Sequence, residues 1–72
     1  MRPSFYQYIQ RFYDPTANDP QSRLANAIHE DQAFPKQADD FDQISTYLEH
    51  TPTYSRLMLA FDEAWLNYQA EN

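Results

Sequence analysis

The stretch YDPTANDP, residues 13–20, contains two Asp-Pro pairs five residues apart. A proline disfavours the helical conformation of the residue before it, so Asp14-Pro15 predicts the end of a helix. Asp is a favoured N-cap and proline suits the first helical position, so Asp19-Pro20 predicts the start of the next helix. The alternative is a metal-binding carboxylate loop, but a calcium loop of the EF-hand type needs a glycine at its sharp turn, and this chain has none. We therefore interpret the stretch as the boundary between two helices.

The segment before this boundary predicts a first helix. Ser4 and Gln7 match the capping-box pattern, in which the serine oxygen accepts an early backbone N–H and the glutamine side chain reaches back to the cap. Phe5, Ile9 and Phe12 then recur at helical spacing, so we expect them to share the buried face.

The segment after the boundary predicts a second helix with one apolar side. Its apolar stripe consists of Leu24, Ala25, Ala27 and Ile28. The polar residues that we expect to face away from the core are Ser22, Arg23, Asn26 and His29.

Residues 31–39 predict a loop that leads to a third helix. Phe34 is the single large apolar residue of this loop, and we expect its ring to enter the core and anchor the connection. The third helix is expected to begin at Asp39 or Asp40, because carboxylates suit the positive end of the helix dipole, and to end near His50. Its buried residues are expected to be Phe41, Ile44 and Leu48.

The fourth helix is expected to begin at Thr51-Pro52 and to extend to about Tyr68 as the main core helix. Its apolar stripe comprises Tyr54, Leu57, Met58, Phe61, Ala64, Trp65 and Tyr68. Four short helices with short connections favour one compact all-α domain over residues 1–72, with helix pairs packed orthogonally.

The composition of the chain limits its function classes. Six Tyr, five Phe and one Trp supply the core of a 72-residue chain that has no Cys for a disulfide. Eleven acidic residues against five basic ones give a net charge of −6, which disfavours nucleic acid and anionic membranes as partners. No apolar run approaches the ~18 residues of a membrane span. These features favour a protein of the cytosol.

Three segments together resemble a known family. They are SFYQYIQRFYDP, then NDPQSRLANAIHEDQAFPKQADDFDQISTYLEH, then FDEAWLNYQ, and they cover essentially the whole chain. The chain resembles the YozE-like family of short bacterial proteins. The resemblance implies a small helical fold similar to the sterile alpha motif, in cytosolic proteins, and a likeness to domains used for protein–protein and sometimes nucleic-acid contacts. It supplies no catalytic or ligand residues.

No pattern in the sequence indicates an enzyme, a metal site or a cofactor site. His29 and His50 are about 20 residues apart near helix C-termini, where a histidine complements the dipole, so we interpret both as surface residues. The absence of Cys and Gly removes a thiol nucleophile, a nucleophile elbow and a phosphate loop. Paired carboxylates such as Glu30 and Asp31 would need a deep pocket of roughly 300 Å³ or more, which we do not expect in so small a domain.

The basic residues allow two interpretations. Arg11, Arg23, Lys36 and Arg56 come from separate segments, and they form a candidate basic face for nucleic acid if the fold brings them together. The interpretation that we favour is that they pair with the surplus acidic residues, because five bases outweigh eleven acids only locally.

Leu59 and Leu66 also allow two interpretations. They lie outside the apolar stripe of the fourth helix, seven residues apart and therefore on one side of it. We favour burial of this second face beneath the first helix or the start of the chain, because a long helix in a small domain is commonly covered on more than one side. The alternative is an exposed interface with a protein partner or a second copy, so the pair forms a candidate partner surface.

The sequence therefore leads to three hypotheses. The first is a non-enzymatic protein–protein interaction module with exposed apolar anchors and acidic surroundings. The second is a nucleic-acid-binding module that uses the basic face. The third is an acidic protein that mimics nucleic acid and thereby inhibits proteins that bind nucleic acid; it explains the charge, but no sequence motif supports it. No membrane, metal or cofactor is expected as a partner.

Overall fold

The computed structural model describes residues 3–38 and 40–71, and this part of the chain is all-helical, as predicted. Its four α-helices are α1 (Phe5–Ile9), α2 (Pro20–Glu30), α3 (Phe41–Glu49) and α4 (Met58–Ala70). Two 3₁₀ turns, Gln10–Phe12 and Pro52–Tyr54, extend α1 and precede α4.

Three of the helices begin at the caps that the sequence predicts. Ser4 Oγ accepts the Gln7 N–H while Gln7 Oε1 accepts the Ser4 N–H, each at 3.3 Å, which completes the capping box of α1. Asp19 and Asp40 each accept the backbone N–H three residues further on, at 3.1 and 3.2 Å, and so cap α2 and α3. The other candidate cap of α3, Asp39, lies outside the described residues.

The Asp-Pro boundary is held by side-chain hydrogen bonds to the backbone. Asn26 donates to the Asp14 carbonyl oxygen at 2.9 Å and accepts the Asp14 N–H at 3.0 Å. The Asp14 carboxylate in turn accepts the N–H and hydroxyl of Thr16, at 3.0 and 2.8 Å. The first helical segment ends at Phe12 and α2 begins at Pro20, so the helix-boundary interpretation is confirmed.

An aromatic cluster between α1 and α4 forms the centre of the core. Phe5 is fully buried and meets the rings of Phe61 and Tyr68 edge-on, with centroids 5.6 Å apart in both pairs. Trp65 packs against the same ring at 5.4 Å. Helices α1, α2 and α3 all contact α4, which is therefore the central helix of the domain.

Phe34 anchors the long loop, as predicted. Its side chain is only 3% exposed and lies 5.9 Å from the ring of Tyr6 and 5.8 Å from that of Tyr47. The loop therefore joins α1 to α3 through the core.

The fourth helix is shorter than the sequence predicts. Residues Pro52–Tyr54 form a 3₁₀ turn, and α4 begins only at Met58. Leu57, at the start of α4, has φ −113° and ψ 7° and provides no side-chain cap. The interruption arises because Tyr54 is fully buried and its hydroxyl is held by Asp31 at the end of α2.

Two predicted side-chain orientations are also wrong. Phe41 is 38% exposed rather than buried, because it begins α3 at the edge of the core, where its ring stacks on Phe61. Ser22 is buried instead of facing solvent, since it lies in the first turn of α2 where that helix meets α4.

Candidate functional site

Leu59 and Leu66 project from α4 into solvent. Their exposed fractions are 80% and 66%, and they are the two most exposed large hydrophobic residues in the described part of the chain. The favoured interpretation, burial beneath the first helix or the start of the chain, is therefore wrong. The physical reason is that α1 has only five residues and its core residue Phe5 packs against the opposite side of α4.

The α4 outer face, defined as Leu59, Asp62, Glu63 and Leu66, combines apolar and acidic groups. At ~100° and 1.5 Å per residue, the two leucines lie almost above one another, about 10.5 Å apart along the helix axis. Both carboxylates lie between them and are exposed. Among the described residues, neither carboxylate forms an ion pair or a side-chain hydrogen bond.

The opposite side of α4 is fixed near both of its ends. Gln21 donates to the Ala60 carbonyl oxygen at 3.0 Å, which ties the start of α4 to α2. Tyr68 donates to the Pro3 carbonyl oxygen at 2.6 Å, which ties its end to the N-terminal segment. The contacts of α4 with the core therefore fix the position of the α4 outer face.

The four residues of the candidate basic face have separate environments. Arg11 forms an ion pair with Glu71 at 2.7 Å, and Lys36 lies over the Tyr6 ring at 5.7 Å. Arg23 is exposed on α2, and Arg56 is exposed in the turn before α4. No contact in the described part of the chain joins two of these residues, and a shared basic face stays a prediction.

Asp31 joins three segments in an arrangement that sequence reasoning missed. Its Oδ2 atom accepts hydrogen bonds from Tyr47 Oη at 2.6 Å and from Tyr54 Oη at 2.8 Å. Its Oδ1 atom accepts the Ala33 N–H at 3.0 Å. The carboxylate thus connects the end of α2, the middle of α3 and the 3₁₀ turn before α4.

The phenols of Tyr47 and Tyr54 and the carboxylate of Asp31 shift one another's pKa values. Partial burial raises the pKa of Asp31, but the hydrogen bonds from Tyr47 and Tyr54 outweigh this effect and leave the pKa below its ordinary value. The hydrogen bond to Asp31 raises the pKa of Tyr47. Burial and then the bond to Asp31 raise the pKa of Tyr54. At neutral pH the cluster is therefore a carboxylate held by two neutral phenols.

An open hollow of about 420 Å³ lies beside this cluster. Its lining residues are Ala27, Glu30, Asp31, Thr51 and Thr53. The hollow is open to solvent rather than deep, so the expectation that so small a domain has no deep pocket of ~300 Å³ or more stays a prediction. The hollow forms between the end of α2 and the turn before α4, where small side chains leave the space unfilled. It offers acceptor oxygens, but the Asp31 carboxylate already accepts two phenolic hydrogens.

Both histidines have local partners. The His29 ring stacks on Tyr13 at 4.1 Å, and its Nδ1 lies 3.0 Å from Gln10 Oε1. His50 Nδ1 donates to the Thr46 carbonyl oxygen at 2.7 Å, within its own helix end. Over residues 3–38 and 40–71, no group of three or more His, Cys, Asp or Glu is arranged to hold a metal ion. No helix in the same residues has the length and apolarity that crossing a bilayer requires.

The all-helical architecture places the protein among the small helical domains of sterile-alpha-motif-like fold. The chain belongs to the family described as the YozE SAM-like fold, which matches residues 4–70. The suggested resemblance and the fold class are thereby confirmed.

Curated relatives match along most of their own length. A UPF0346 protein of Lactococcus lactis subsp. cremoris (strain MG1363) is 50% identical over 66 residues, which cover 90% of this chain and 94% of the relative. A UPF0346 protein of Ligilactobacillus salivarius (strain UCC118) is 46% identical over 68 residues, or 94% and 91% of the two chains. The UPF0346 protein YozE of Bacillus subtilis (strain 168) is 43% identical over 68 residues, or 94% and 92%. No solved structure matches the chain.

Proposed function

We propose that this protein is a non-enzymatic interaction module of the cytosol that binds a protein partner through the α4 outer face. The observation that carries the proposal is the exposure of Leu59 and Leu66, 80% and 66%, on a helix whose other side is fully packed. Large exposed apolar side chains on one side of a rigid helix are typical of groove-binding anchors.

The alternatives have less support. Acid–base catalysis at the hollow would need a carboxyl group poised to exchange a proton near neutral pH. The two phenols instead hold the pKa of Asp31 below its ordinary value. Nucleic-acid binding would need several unengaged cations on one surface, whereas Arg11 is paired with Glu71. The net charge of −6 also opposes it.

A capture experiment with matched variants tests the proposal. The tagged protein and a Leu59→Ser/Leu66→Ser variant are used to capture proteins from the native cytosol, followed by mass spectrometry. A Gln43→Ser/Thr46→Ser variant is the control, because it alters two exposed polar residues of α3 without a change in charge. We expect the wild type and the control to retain the same partner and the leucine variant to lose it.

Circular dichroism and urea unfolding show whether the leucine variant remains folded. Capture of the same partner by the folded leucine variant would refute the use of this face. If the leucine variant unfolds, the two side chains belong to the core and the proposal is withdrawn.

A further inference from the structure

We infer that the partner is a protein groove with two apolar pockets about 10 Å apart and Lys or Arg side chains between them. This inference rests on the proposed function and specifies the chemistry of the partner. It follows from the order of groups along the α4 outer face, where the leucines stand at the ends and the acids in the middle.

The spacing of the anchors sets the shape of the groove. Helices that bind in grooves usually place apolar anchors at positions i, i+3, i+4 and i+7. Here Leu59 and Leu66 occupy i and i+7, while Asp62 and Glu63 occupy i+3 and i+4. A groove that receives both leucines therefore encloses both carboxylates, which are costly to desolvate unless cations pair with them.

Among the residues that the structure describes, no cation pairs with either carboxylate. Helix α4 contains no Lys, Arg or His between Met58 and Ala70. The ion pair found among the described residues, Arg11 with Glu71, lies beyond the end of α4. The positive charge that complements Asp62 and Glu63 must therefore come from the partner.

A second copy of the chain is a poor occupant of this face. The midpoint between Leu59 and Leu66 falls between Asp62 and Glu63. In an antiparallel two-fold dimer, Leu59 of one copy would lie against Leu66 of the other copy. The four carboxylates of the two copies would then lie close together at the two-fold axis. Each copy also carries a net charge of −6, so the copies repel one another.

A pair of small probes with opposite charge tests the inference. The ¹⁵N-labelled protein is titrated with octyltrimethylammonium, which joins a cation to an apolar chain, and separately with octyl sulfonate, which joins an anion to the same chain. Both are used well below their micelle concentrations. We expect the cation to shift the amide signals around Leu59 and Leu66 with an affinity about fivefold or more above that of the anion, because two carboxylates lie within a few ångströms.

A charge-neutral variant and added salt provide the controls. The preference for the cation should disappear in Asp62→Asn/Glu63→Gln and at about 0.5 M salt, where exposed charges are screened. Equal affinity for both probes would overturn the inference while leaving the apolar interface of the proposed function intact. The absence of shifts on α4 with either probe would overturn it as well.

Self-association is the remaining outcome. Sedimentation velocity of the wild type should show a monomer, because the acidic residues oppose pairing. If the wild type forms a dimer or a larger oligomer, and Leu59→Ser/Leu66→Ser restores the monomer, this face binds a second copy and the inference is overturned.

Discussion

Tyr54 Oη donates to Asp31 Oδ2 at 2.8 Å, and this bond fixes the turn that separates α3 from α4. Because Tyr54 is fully buried, its side chain ties that turn to the end of α2. The start of α4, and with it the position of Leu59, depends on this contact and on the bond from Gln21 to Ala60.

Removal of the Tyr54 hydroxyl should destabilise the domain. Tyr54→Phe leaves the aromatic packing in place but deprives Asp31 of a charged hydrogen bond, and we expect a loss of about 1–3 kcal/mol in the free energy of unfolding. Urea titration followed by circular dichroism measures it. The control is Tyr13→Phe, at a residue that is 40% exposed, which should change the value by less than ~0.5 kcal/mol. Equal effects of the two changes would contradict the role of Asp31.

The contribution of Asp31 should depend on pH with a defined sign. The hydrogen bonds hold its pKa in the folded protein below its ordinary value, about 3.9 in the unfolded chain. The stabilisation is therefore fully present above about pH 4 and is lost as the pH falls through the lower, folded-state pKa. Asp31→Asn should be less stable than the wild type by about 1–2 kcal/mol at neutral pH.

The difference in the free energy of unfolding between the wild type and Asp31→Asn should decrease steadily below about pH 4, where the carboxyl of the wild type also becomes neutral. Urea unfolding of both proteins across that range measures it. A difference that stays constant down to about pH 2 would show that the charge of Asp31 contributes nothing.

The Asn26 side chain should stabilise the boundary between the first two helical segments. Asn26→Ala removes both hydrogen bonds to the Asp14 backbone, and we expect a loss of about 1–2 kcal/mol in the free energy of unfolding. Asn18→Ala, at an exposed residue of the same boundary, is the control. The prediction is wrong if both alanine variants unfold at the same urea concentration.

The two solvent-facing leucines should be nearly irrelevant to stability. Leu59→Ala and Leu66→Ala should each change the free energy of unfolding by less than ~0.5 kcal/mol. Leu24→Ala and Leu48→Ala, at residues that are 0% and 1% exposed, should each lower it by about 2–5 kcal/mol because they leave cavities. Comparable losses at all four positions would place Leu59 and Leu66 in the core.

Local signals in the sequence predict much of the fold. The cap of α2 at Asp19, the capping box at Ser4 and the anchoring by Phe34 all act within a few residues, or through one large side chain that has only the core to enter. Such features depend little on the rest of the chain, so they can be read before the tertiary structure is known.

Features that depend on distant contacts were not predictable. The break before α4 results from the hydrogen bond between Tyr54 and Asp31, which are 23 residues apart. The helical spacing of apolar residues continues across this break, so the sequence pattern does not reveal it. The exposure of Leu59 depends on which helices cover α4, and the short α1 packs on the other side. The sequence could locate the candidate partner surface but could not decide whether it was covered.

The most direct test of the central claim is cysteine labelling of the α4 outer face, for which the natural absence of Cys is an advantage. Leu59→Cys, Leu66→Cys and the control Gln43→Cys are each reacted with a maleimide, in the purified protein and inside the producing cells. We predict similar rates for all three in the purified protein, and several-fold slower labelling at positions 59 and 66, but not at 43, inside the cells. Unchanged relative rates inside the cells would contradict the claim that a partner covers this face.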